Sequence, residues 1–420
     1  MNPPSLKSAR IAVIGLGYVG LPLALEFSKH YPTAGFDIDS KRIEQLECFE
    51  DSTRQASSEE LQSALSRGLR LSSTLAHIAE SNVYIICVPT PIDSHKVPNL
   101  APLRHASELV ARVLQKGDVV IYESTTYPTC TESECKRILE LHSKLRCDRD
   151  FSLGYSPERT NPSDTLHSLT RVRKLTSGSS EAAGDFVDSL YASIIPAGTH
   201  RVSSIKVAEM SKILENAQRD LNIAFVNEAC MLCEHLGIDA HEVLAAARTK
   251  WNFLPFSPGL VGGHCISVDP YYLTHKMNAI GYTPQVISSG RLINEAMPAF
   301  VAQKIIKLLA QSRIEILNAR VLILGITFKA NCPDIRNSQV PSLKAQLEEF
   351  GIEVEIYDPV ANACEVRESY HITLLEKVEP NAYDGIFLAV AHNELLALSR
   401  ARLGREGHIF YTLTPHALAP

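Results

Sequence analysis

The segment Gly15-Leu-Gly17-Tyr-Val-Gly20 restricts the fold of this 420-residue chain more than any other feature. It directly follows the short apolar run Ile11–Gly15, which is typical of a buried parallel strand, and helical periodicity begins at Leu21. The next apolar segment ends at Asp37, about 20 residues past the middle glycine. A strand, a glycine turn, a helix and an acidic residue in this order predict a dinucleotide-binding α/β unit whose helix N-terminus faces the phosphates.

The acidic residue also indicates which dinucleotide binds. The Asp37 carboxylate can accept hydrogen bonds from an adenosine ribose and repels a 2′-phosphate, which favours NAD over NADP. Lys41 and Arg42 follow closely and weaken this preference, unless they are solvated helix residues.

Length and composition narrow the class of protein. A chain of 420 residues is too long for one core, so two or three domains are expected. A net charge of −6 without a basic stripe argues against nucleic-acid binding. The N-terminal residues lack the apolar core of a signal peptide, and no apolar run approaches the ~18 residues of a membrane span. The ten cysteines are scattered, and the pair Cys230 and Cys233 falls within a helical pattern, so we expect a metal-free cytoplasmic protein.

Two further strands follow the first nucleotide-binding turn. They are Asn82–Val88, followed by Pro89 and Thr90, and Asp118–Ser124, followed by Thr125. Groups just past the carboxyl ends of such strands face the ligand in open α/β sheets. Phe151–Tyr155 is predicted to be the last strand of this block, and Glu158 comes soon after it, either at the mouth of a cleft or in a solvated loop.

A long helix is predicted from Ser203 to about Leu236, with Gly237 as its cap. Its apolar residues recur near helical spacing and predict one buried stripe, made of Val207, Met210, Leu214, Ala217, Leu221, Phe225 and Leu232. Lys212 and Asn216 lie one turn apart on a different face, and either point together at a substrate oxygen or belong to a solvated surface. A helix of this length often links two domains and carries a dimer interface.

A second α/β block begins after another helical region, residues 284–318. Its predicted strands are Val321–Gly325, Glu353–Tyr357, Gly385–Val390 and an edge strand near residue 411. The first turn of this block lacks the three-glycine pattern, so it is expected to bind a different ligand. Lys329 and Arg336 supply the positive charge that a diphosphate needs.

The glycine-rich stretch Gly259–Pro270 contains the strongest candidate nucleophile, Cys265, four residues before Asp269. A thiol on such a turn can attack a carbonyl as thiolate, although a buried structural cysteine is the common alternative. Two glycines precede the thiol and would let the backbone approach a ligand. Together with a nicotinamide cofactor, this cysteine suggests oxidation through a covalent thiohemiacetal.

Several longer segments together identify a family. They are Gly15–Gly20, Val88–Pro91, Glu123–Thr125, Tyr155–Arg159, Glu215–Asp220, Trp251–Phe256, Gly262–Cys265 and Phe328–Arg336. Over nearly its whole length the chain resembles the UDP-sugar 6-dehydrogenases, specifically the bacterial branch acting on UDP-N-acetylhexosamines for surface polysaccharide synthesis.

The resemblance implies a fold and a reaction. The expected fold is two Rossmann-like doubly wound α/β domains joined by a long central helix, in a homodimer. The corresponding segments are residues 1–198 for NAD binding, 199–310 for the helical linker and dimerisation region, and 311–420 for UDP-sugar binding. The implied reaction is the four-electron oxidation of the C6 hydroxyl of a UDP-N-acetylhexosamine to the uronate by NAD, through a thiohemiacetal and thioester on Cys265.

The resemblance also implies roles for individual residues. Cys265 is the nucleophile, Lys212 and Asp269 handle protons, Asn216 holds the substrate, and Glu158 positions water or the thioester. The implied cofactor-binding residues are Gly15, Gly17, Tyr18, Val19, Gly20, Asp37, Arg42, Pro89, Thr90, Thr125 and Arg336. The implied substrate-binding residues are Glu158, Arg159, Lys212, Asn216, Phe256, Gly262 and Lys329. Asp269 alone would oppose thiolate formation, so Lys212 or the cofactor's charge is expected to compensate.

The chain departs from the family pattern at a few positions. Thr129 and Ser163 replace glycines, Ala330 replaces an acidic residue, and Thr412 and Thr414 replace an Asp-x-Lys pattern. These last changes affect the expected substrate affinity more than the reaction type. Three alternatives remain open: a UDP-glucose 6-dehydrogenase, a two-electron dehydrogenase of the 6-phosphogluconate type, which needs no cysteine, and an NAD-binding relic without activity.

Overall fold

The structure is a computed structural model that describes residues 3–160, 167–414 and 418. Ser163 lies outside the described residues. The chain divides into two compact units, the first made of Met1–Glu215 and Tyr271–Ile280 and the second of Asn216–Pro270 and Gly281–Pro420. The division into segments 1–198, 199–310 and 311–420 stays a prediction about the sequence.

The first unit is built on an eight-stranded sheet. Its strands are β1 (Ile11–Ile14), β2 (Thr33–Phe36), β3 (Arg70–Ser72), β4 (Val83–Ile86), β5 (Val119–Tyr122), β6 (Ser152–Tyr155), β7 (Lys174–Gly178) and β8 (Thr199–Arg201). Their order is β3-β2-β1-β4-β5-β6-β7-β8, and only the pair β6 and β7 is antiparallel. The first six strands have the order of a dinucleotide-binding fold, which confirms the predicted class.

Helices cover both faces of this sheet because its central strands are apolar on both sides. They are α1 (Gly20–Phe27), α2 (Ser40–Glu47), α3 (Ser58–Ser66), α4 (Ala101–Ala111), α5 (Lys136–Ser143) and α6 (Glu181–Ala192). Local sequence sets several of their starts: Asp39 caps α2, and Ser57 forms a capping box with Glu60 at α3. The cluster under the sheet includes Ile11, Phe27 and Ile85, all fully buried.

The prediction that Phe151–Tyr155 is the last strand of the first sheet is wrong, because β7 and β8 follow it. The sequence of β7 is Lys-Leu-Thr-Ser-Gly, which has no apolar run, yet Lys174, Thr176 and Ser177 are all buried. Each of these three side chains forms a hydrogen bond inside the protein, so the strand can be buried although its sequence is polar.

Helix α7 (Ile205–Leu236) begins in the first unit and ends in the second, so it is the predicted long connecting helix. Gly237 follows it with a φ of +68°, the left-handed conformation of a helix cap, as predicted.

The predicted buried stripe on α7 is wrong. Val207, Leu214, Phe225 and Leu232 are exposed by 42%, 46%, 61% and 57%. The inward face is instead rich in polar residues, namely Glu209, Lys212, Asp220 and Asn227. In the second unit Asp220 accepts from Arg291 at 2.6 Å and from Asn294 at 2.8 Å, so ionic and amide contacts accompany the apolar ones of Ala224 and Val226. Helical spacing alone identifies a face but not which face is buried. Cys230 and Cys233 are both buried on the helix, as predicted.

The second unit contains a four-stranded parallel sheet in the order β10-β9-β11-β12. Its elements are α8 (Ala240–Arg248), α9 (Asp269–Ala279, shared with the first unit), α10 (Gln285–Gln311), β9 (Arg320–Leu324), α11 (Val340–Glu348), β10 (Glu353–Tyr357), α12 (Ala363–Tyr370), β11 (Tyr383–Leu388), α13 (Asn393–Leu396), α14 (Arg400–Leu403) and β12 (Gly404–Thr412). Strand β12 lies at the edge, as predicted, and two α/β units joined by a long helix confirm the predicted fold class.

Candidate functional site

Each glycine of the nucleotide fingerprint has a different structural role. Gly15 has a φ of +91°, which a glycine adopts without strain. A Cβ on Gly20 would lie 1.8 Å from the Gly15 carbonyl oxygen, so only glycine permits this close packing of helix on strand. A Cβ on Gly17 would meet nothing within 4 Å. The space beside Gly17, next to the N-terminus of α1, fits a pyrophosphate, and the turn therefore fits a dinucleotide.

Asp37 and Arg42 both support this turn. The Asp37 Oδ2 accepts from the Leu16 N–H at 2.8 Å, its Oδ1 accepts from the Asp39 N–H at 3.0 Å, and the carboxylate is half-buried. Arg42 is buried and donates to the Leu16 carbonyl oxygen at 2.9 and 3.0 Å and to Asp51 at 2.7 Å. Its charge is thus neutralised by Asp51, and its part in cofactor binding, which stays a prediction, would be to hold the turn.

The other predicted cofactor contacts of the first unit lie on loops at the carboxyl ends of its central strands. Tyr18 and Val19 belong to the turn after β1, Pro89 and Thr90 follow β4, and Thr125 follows β5. Adjacent parallel strands bring these three loops to one edge of the sheet, where an open α/β fold binds its ligand.

Glu158 follows β6 at the same edge and is held in place by its surroundings. Its Oε1 accepts from the Arg159 N–H at 2.8 Å and from the Thr160 N–H, and its Oε2 lies 3.7 Å from the Lys174 Nζ. Burial would raise the pKa of Glu158, but Lys174, Thr160 and Lys212 together hold it below its usual range. Glu158 is therefore an anchored carboxylate and not a solvated loop residue.

Two other predicted site residues of the first unit also have charged neighbours. The Arg159 guanidinium binds Glu215 of α7 at 2.8 and 3.2 Å and donates to the Arg173 carbonyl oxygen at 2.6 Å. Lys212 is 5% exposed on the inward face of α7, where its charge acts on Glu158. The solvated-face alternative for Lys212 is therefore excluded.

In the second unit, Cys265 lies on a tight turn before α9. The Cys265 carbonyl oxygen accepts from the Asp269 N–H at 2.8 Å, and Cys265 itself is half-buried. A Cβ on Gly262 would lie 2.8 Å from the Asn337 carbonyl oxygen, and one on Gly263, with φ +88°, would lie 2.9 Å from the Phe328 ring. These glycines make room for the protein's own residues and so fix the turn that presents the thiol.

A histidine that the sequence analysis did not select lies beside the thiol. The His264 Nδ1 is 3.5 Å from the Asp334 carboxylate and 3.0 Å from an Arg336 nitrogen. Burial lowers the pKa of His264, but the Cys265 sulfur and Asp334 outweigh burial and raise it to about 9. The His264 imidazole is therefore a charged neighbour of the Cys265 sulfur that the sequence analysis did not consider beside Lys212 and the cofactor. Only its place next to Cys265 signalled it in the sequence.

The remaining predicted residues of the second unit fall into two groups. Asn216 donates to the Asp269 Oδ2 at 2.5 Å, so these two residues form a pair. Arg336 binds Asp334 through two nitrogens and lies beside His264, and its predicted cofactor contact stays untested. Phe256 is half-buried, and its carbonyl oxygen accepts from Arg248 at 2.8 Å. Lys329 is half-buried on the loop after β9, where its carbonyl oxygen accepts from Thr327 at 3.0 Å.

Over residues 3–160, 167–414 and 418, no three His, Cys, Asp or Glu side chains gather as a metal site would require. In the same ranges no helix combines the length and the apolar content needed to cross a bilayer.

Comparison with known proteins agrees along the whole chain. Three models of the UDP-glucose/GDP-mannose dehydrogenase family match it: the NAD binding domain over residues 9–195, the central domain over 206–296 and the UDP binding domain over 322–411. A UDP-N-acetyl-D-glucosamine 6-dehydrogenase of Pseudomonas aeruginosa is 50% identical over 411 residues, 97% of each chain. The Salmonella typhi enzyme of the same name is 48% identical, covering 97% of this chain and 96% of the relative.

A solved structure supports the same relationship. The structure of a UDP-D-ManNAc dehydrogenase from Pyrococcus horikoshii superposes with a TM-score of 0.85 at 31% identity. The match covers 96% of this chain and 99% of the other.

Proposed function

Because the chain belongs to the UDP-glucose/GDP-mannose dehydrogenase family, we propose that it oxidises the C6 hydroxyl of a UDP-N-acetylhexosamine to a carboxylate, with NAD as the oxidant. The single observation that carries the four-electron reaction is the half-buried Cys265 on the turn that Gly262 and Gly263 fix. The relatives that are 50% and 48% identical are both named for UDP-N-acetyl-D-glucosamine, which supports the N-acetylhexosamine. The product would serve surface polysaccharide synthesis, as the resemblance implies.

The proposed reaction has three stages. NAD, when bound, accepts one hydride in each of two oxidations. In the first, the C6 alcohol loses a hydride and a proton and becomes an aldehyde. The Cys265 sulfur then bonds to the aldehyde carbon, and the adduct loses a second hydride and a proton to give a thioester. Water bonds to the same carbon, the carbon–sulfur bond breaks, and the thiolate and the uronate are released.

The candidate residues have separate roles in this proposal. His264 balances the thiolate charge and Asp334 orients the imidazole. Asp269 accepts a hydrogen bond from Asn216, so that pair would hold the sugar hydroxyl and accept its proton. In the first unit, the positive charge of Lys212 would stabilise the oxyanion. The anionic Glu158 would position the attacking water.

Counting NADH tests the reaction and distinguishes the alternatives. The purified protein is incubated with NAD and limiting UDP-N-acetylglucosamine, UDP-N-acetylgalactosamine, UDP-N-acetylmannosamine or UDP-glucose. We expect two NADH per N-acetylhexosamine consumed, together with the uronate. A ratio of one, with aldehyde or ketone accumulating, would favour the two-electron class, and a preference for UDP-glucose would favour the UDP-glucose dehydrogenase alternative.

We further propose that the protein is a homodimer. In the second unit, the exposed residues Phe225, Leu232 and Leu236 lie seven and four residues apart, so they share one face of α7. An exposed apolar stripe of this kind marks a protein interface, and a second copy would cover it symmetrically. Phe225→Glu should yield monomers in sedimentation, whereas Leu141→Glu, at an exposed apolar residue of α5, should not. A wild-type monomer at micromolar concentration would contradict the proposal.

We also propose a cytoplasmic location. All ten cysteines are free thiols, including the exposed Cys48 and Cys364, which suits a reducing compartment. Cell fractionation with an antibody against the native protein would test this.

A further inference from the structure

Lys174, the first residue of β7, is a buried cation beside the candidate site. Its side chain is 3% exposed, and its Nζ donates to the Glu123 Oε2 at 2.5 Å and to the Pro157 carbonyl oxygen at 3.0 Å. A buried ammonium costs several kcal/mol unless it is paired and hydrogen-bonded. A buried cation is therefore expected to have a function, but none of the roles proposed above involves Lys174.

The surroundings of Lys174 bring two carboxylates to one cation. Glu123 follows β5, is fully buried, and accepts from the Tyr191 hydroxyl at 2.5 Å on its other oxygen. Glu158 follows β6, and its Oε2 lies 3.7 Å from the Lys174 Nζ. Because β7 runs antiparallel to β6, its first residue lies at the same edge as the end of β6. The topology of the sheet therefore places this lysine between the two acids.

We propose that Lys174 is a positioning residue that keeps the Glu158 carboxylate ionised and oriented while Glu158 acts on water or the thioester. The inference rests on the proposed function, in which Glu158 has that role. The Oε1 of Glu158 is fixed by two backbone N–H groups, so the carboxylate is held with its Oε2 3.7 Å from the Lys174 Nζ. Without the ammonium, two carboxylates would face each other in a buried space, and one of them would take up a proton.

The other groups that face Glu158 do not replace Lys174. Lys212 of α7 also favours its charged form, but more weakly than Lys174 does. Glu123 and the Cys87 thiol, which follows β4, oppose an additional negative charge, and Tyr191 of α6 is bound to Glu123. Burial raises the pKa of Glu123 to about 7, despite Lys174, so near neutral pH Glu123 is partly protonated and competes less for the cation.

The test is the pH dependence of uronate formation. Lys174→Met removes the charge and should move the acidic limb of the kcat profile upward by ~1–2 pH units, the size of effect expected for loss of a nearby opposite charge. On the acidic limb itself, below the wild-type midpoint, this lowers kcat by about 10-fold for each pH unit of the shift, with a smaller change in KM, because the substrate need not contact Lys174. Lys174→Arg keeps the charge and should return the limb toward the wild-type position.

A double variant separates chemistry from folding. Lys174→Met leaves Glu123 buried without the cation that it contacts and can prevent folding. Glu123→Gln/Lys174→Met removes both charges and should fold, yet it should still show the raised acidic limb. Glu123→Gln alone leaves the ammonium to Glu158, so its limb should stay in place or move down.

The outcomes distinguish this proposal from the proposed function. If the wild-type protein makes no uronate from any UDP-sugar, the proposed function fails. If the wild type gives two NADH per sugar but the folded Lys174 variants have the wild-type acidic limb, only the role of Lys174 is refuted. A raised limb in Glu123→Gln, in which the cation is retained, would refute it as well, even if the Lys174 variants do not fold.

Discussion

The first prediction concerns the cost of Thr129 to the stability of the folded protein. It has a φ of +86°, in the left-handed region that β-branched residues rarely adopt. A side chain costs about 1–2 kcal/mol in this conformation. Its Oγ1 is buried and lacks a hydrogen-bond partner among the described residues, which costs about 1–3 kcal/mol more. Thr129→Gly removes both penalties and adds about 0.5–1 kcal/mol of chain entropy in the unfolded state.

The expected net effect of Thr129→Gly is a stabilisation of about 1–2 kcal/mol, since site strain is rarely recovered in full. For a unit of this size that raises the melting temperature by roughly 2–4 °C per kcal/mol, measurable by calorimetry without ligands. The backbone bonds should survive, because Glu209 accepts from the N–H groups of Thr129 and Thr131 at 2.6 and 2.9 Å. Thr129→Ala is the matched control, since it removes the hydroxyl and keeps the strained Cβ. If Thr129→Gly melts no higher than Thr129→Ala, the strain argument is refuted.

Four further predictions concern the site and the buried acids. Asp37→Ala should narrow the ratio of kcat/KM between NAD and NADP, because it removes the carboxylate that repels a 2′-phosphate; an unchanged ratio would assign the choice to other residues. Cys265→Ser should still bind NAD and UDP-sugar, but its rate of uronate formation should fall by several powers of ten, each worth about 1.4 kcal/mol. Cys364→Ser, which changes an exposed thiol, should keep the wild-type rate. His264→Gln should slow alkylation of Cys265 at pH 7, read by mass spectrometry, because it removes the imidazole beside the sulfur; an unchanged rate would show that His264 does not influence the thiol. Burial raises the pKa of Glu209 from its ordinary 4.5 to about 7, so between these pH values the folded state binds more protons than the unfolded state. The free energy of unfolding should therefore fall as the pH rises from about 4.5 to 7. Glu209→Gln should flatten that fall when unfolding by urea is measured across the pH range.

The strands and turns that the sequence predicted are those whose pattern is local. Ile11–Ile14, Val83–Ile86 and Val119–Tyr122 are short apolar runs buried on both faces, and each was predicted to within two residues at either end. Glu353–Tyr357 is a strand over its predicted bounds. In each case the chain's own composition decides the outcome, because a buried parallel strand needs continuous apolar residues.

The features that were missed depend on distant partners. Lys174 is buried only because Glu123 and Glu158 come from two other strands, and no local pattern reveals them. The outward face of α7 was taken for the buried one because the inward polar residues find partners about 70 positions away, as Asp220 does in Arg291. Likewise the role of His264 depends on Asp334, which lies far along the chain. Sequence patterns count apolar residues, whereas burial of a charge is decided by whether its partner is present.

The first turn of each sheet has the same backbone geometry, but the burial of the aspartate that it binds differs. This difference affects which ligand each sheet can bind. Gly15 and Gly325 have φ values of +91° and +93°, and in each turn the next N–H group donates to an aspartate after the second strand. Asp37 is half-buried, whereas the Asp358 side chain is fully buried and bonded to His392 at 3.2 Å. The second turn therefore cannot present its acid to a dinucleotide. We therefore expect a ligand there to be held by positive charge, such as that predicted for Lys329, which would suit the diphosphate of a nucleotide sugar and leave NAD to the first sheet.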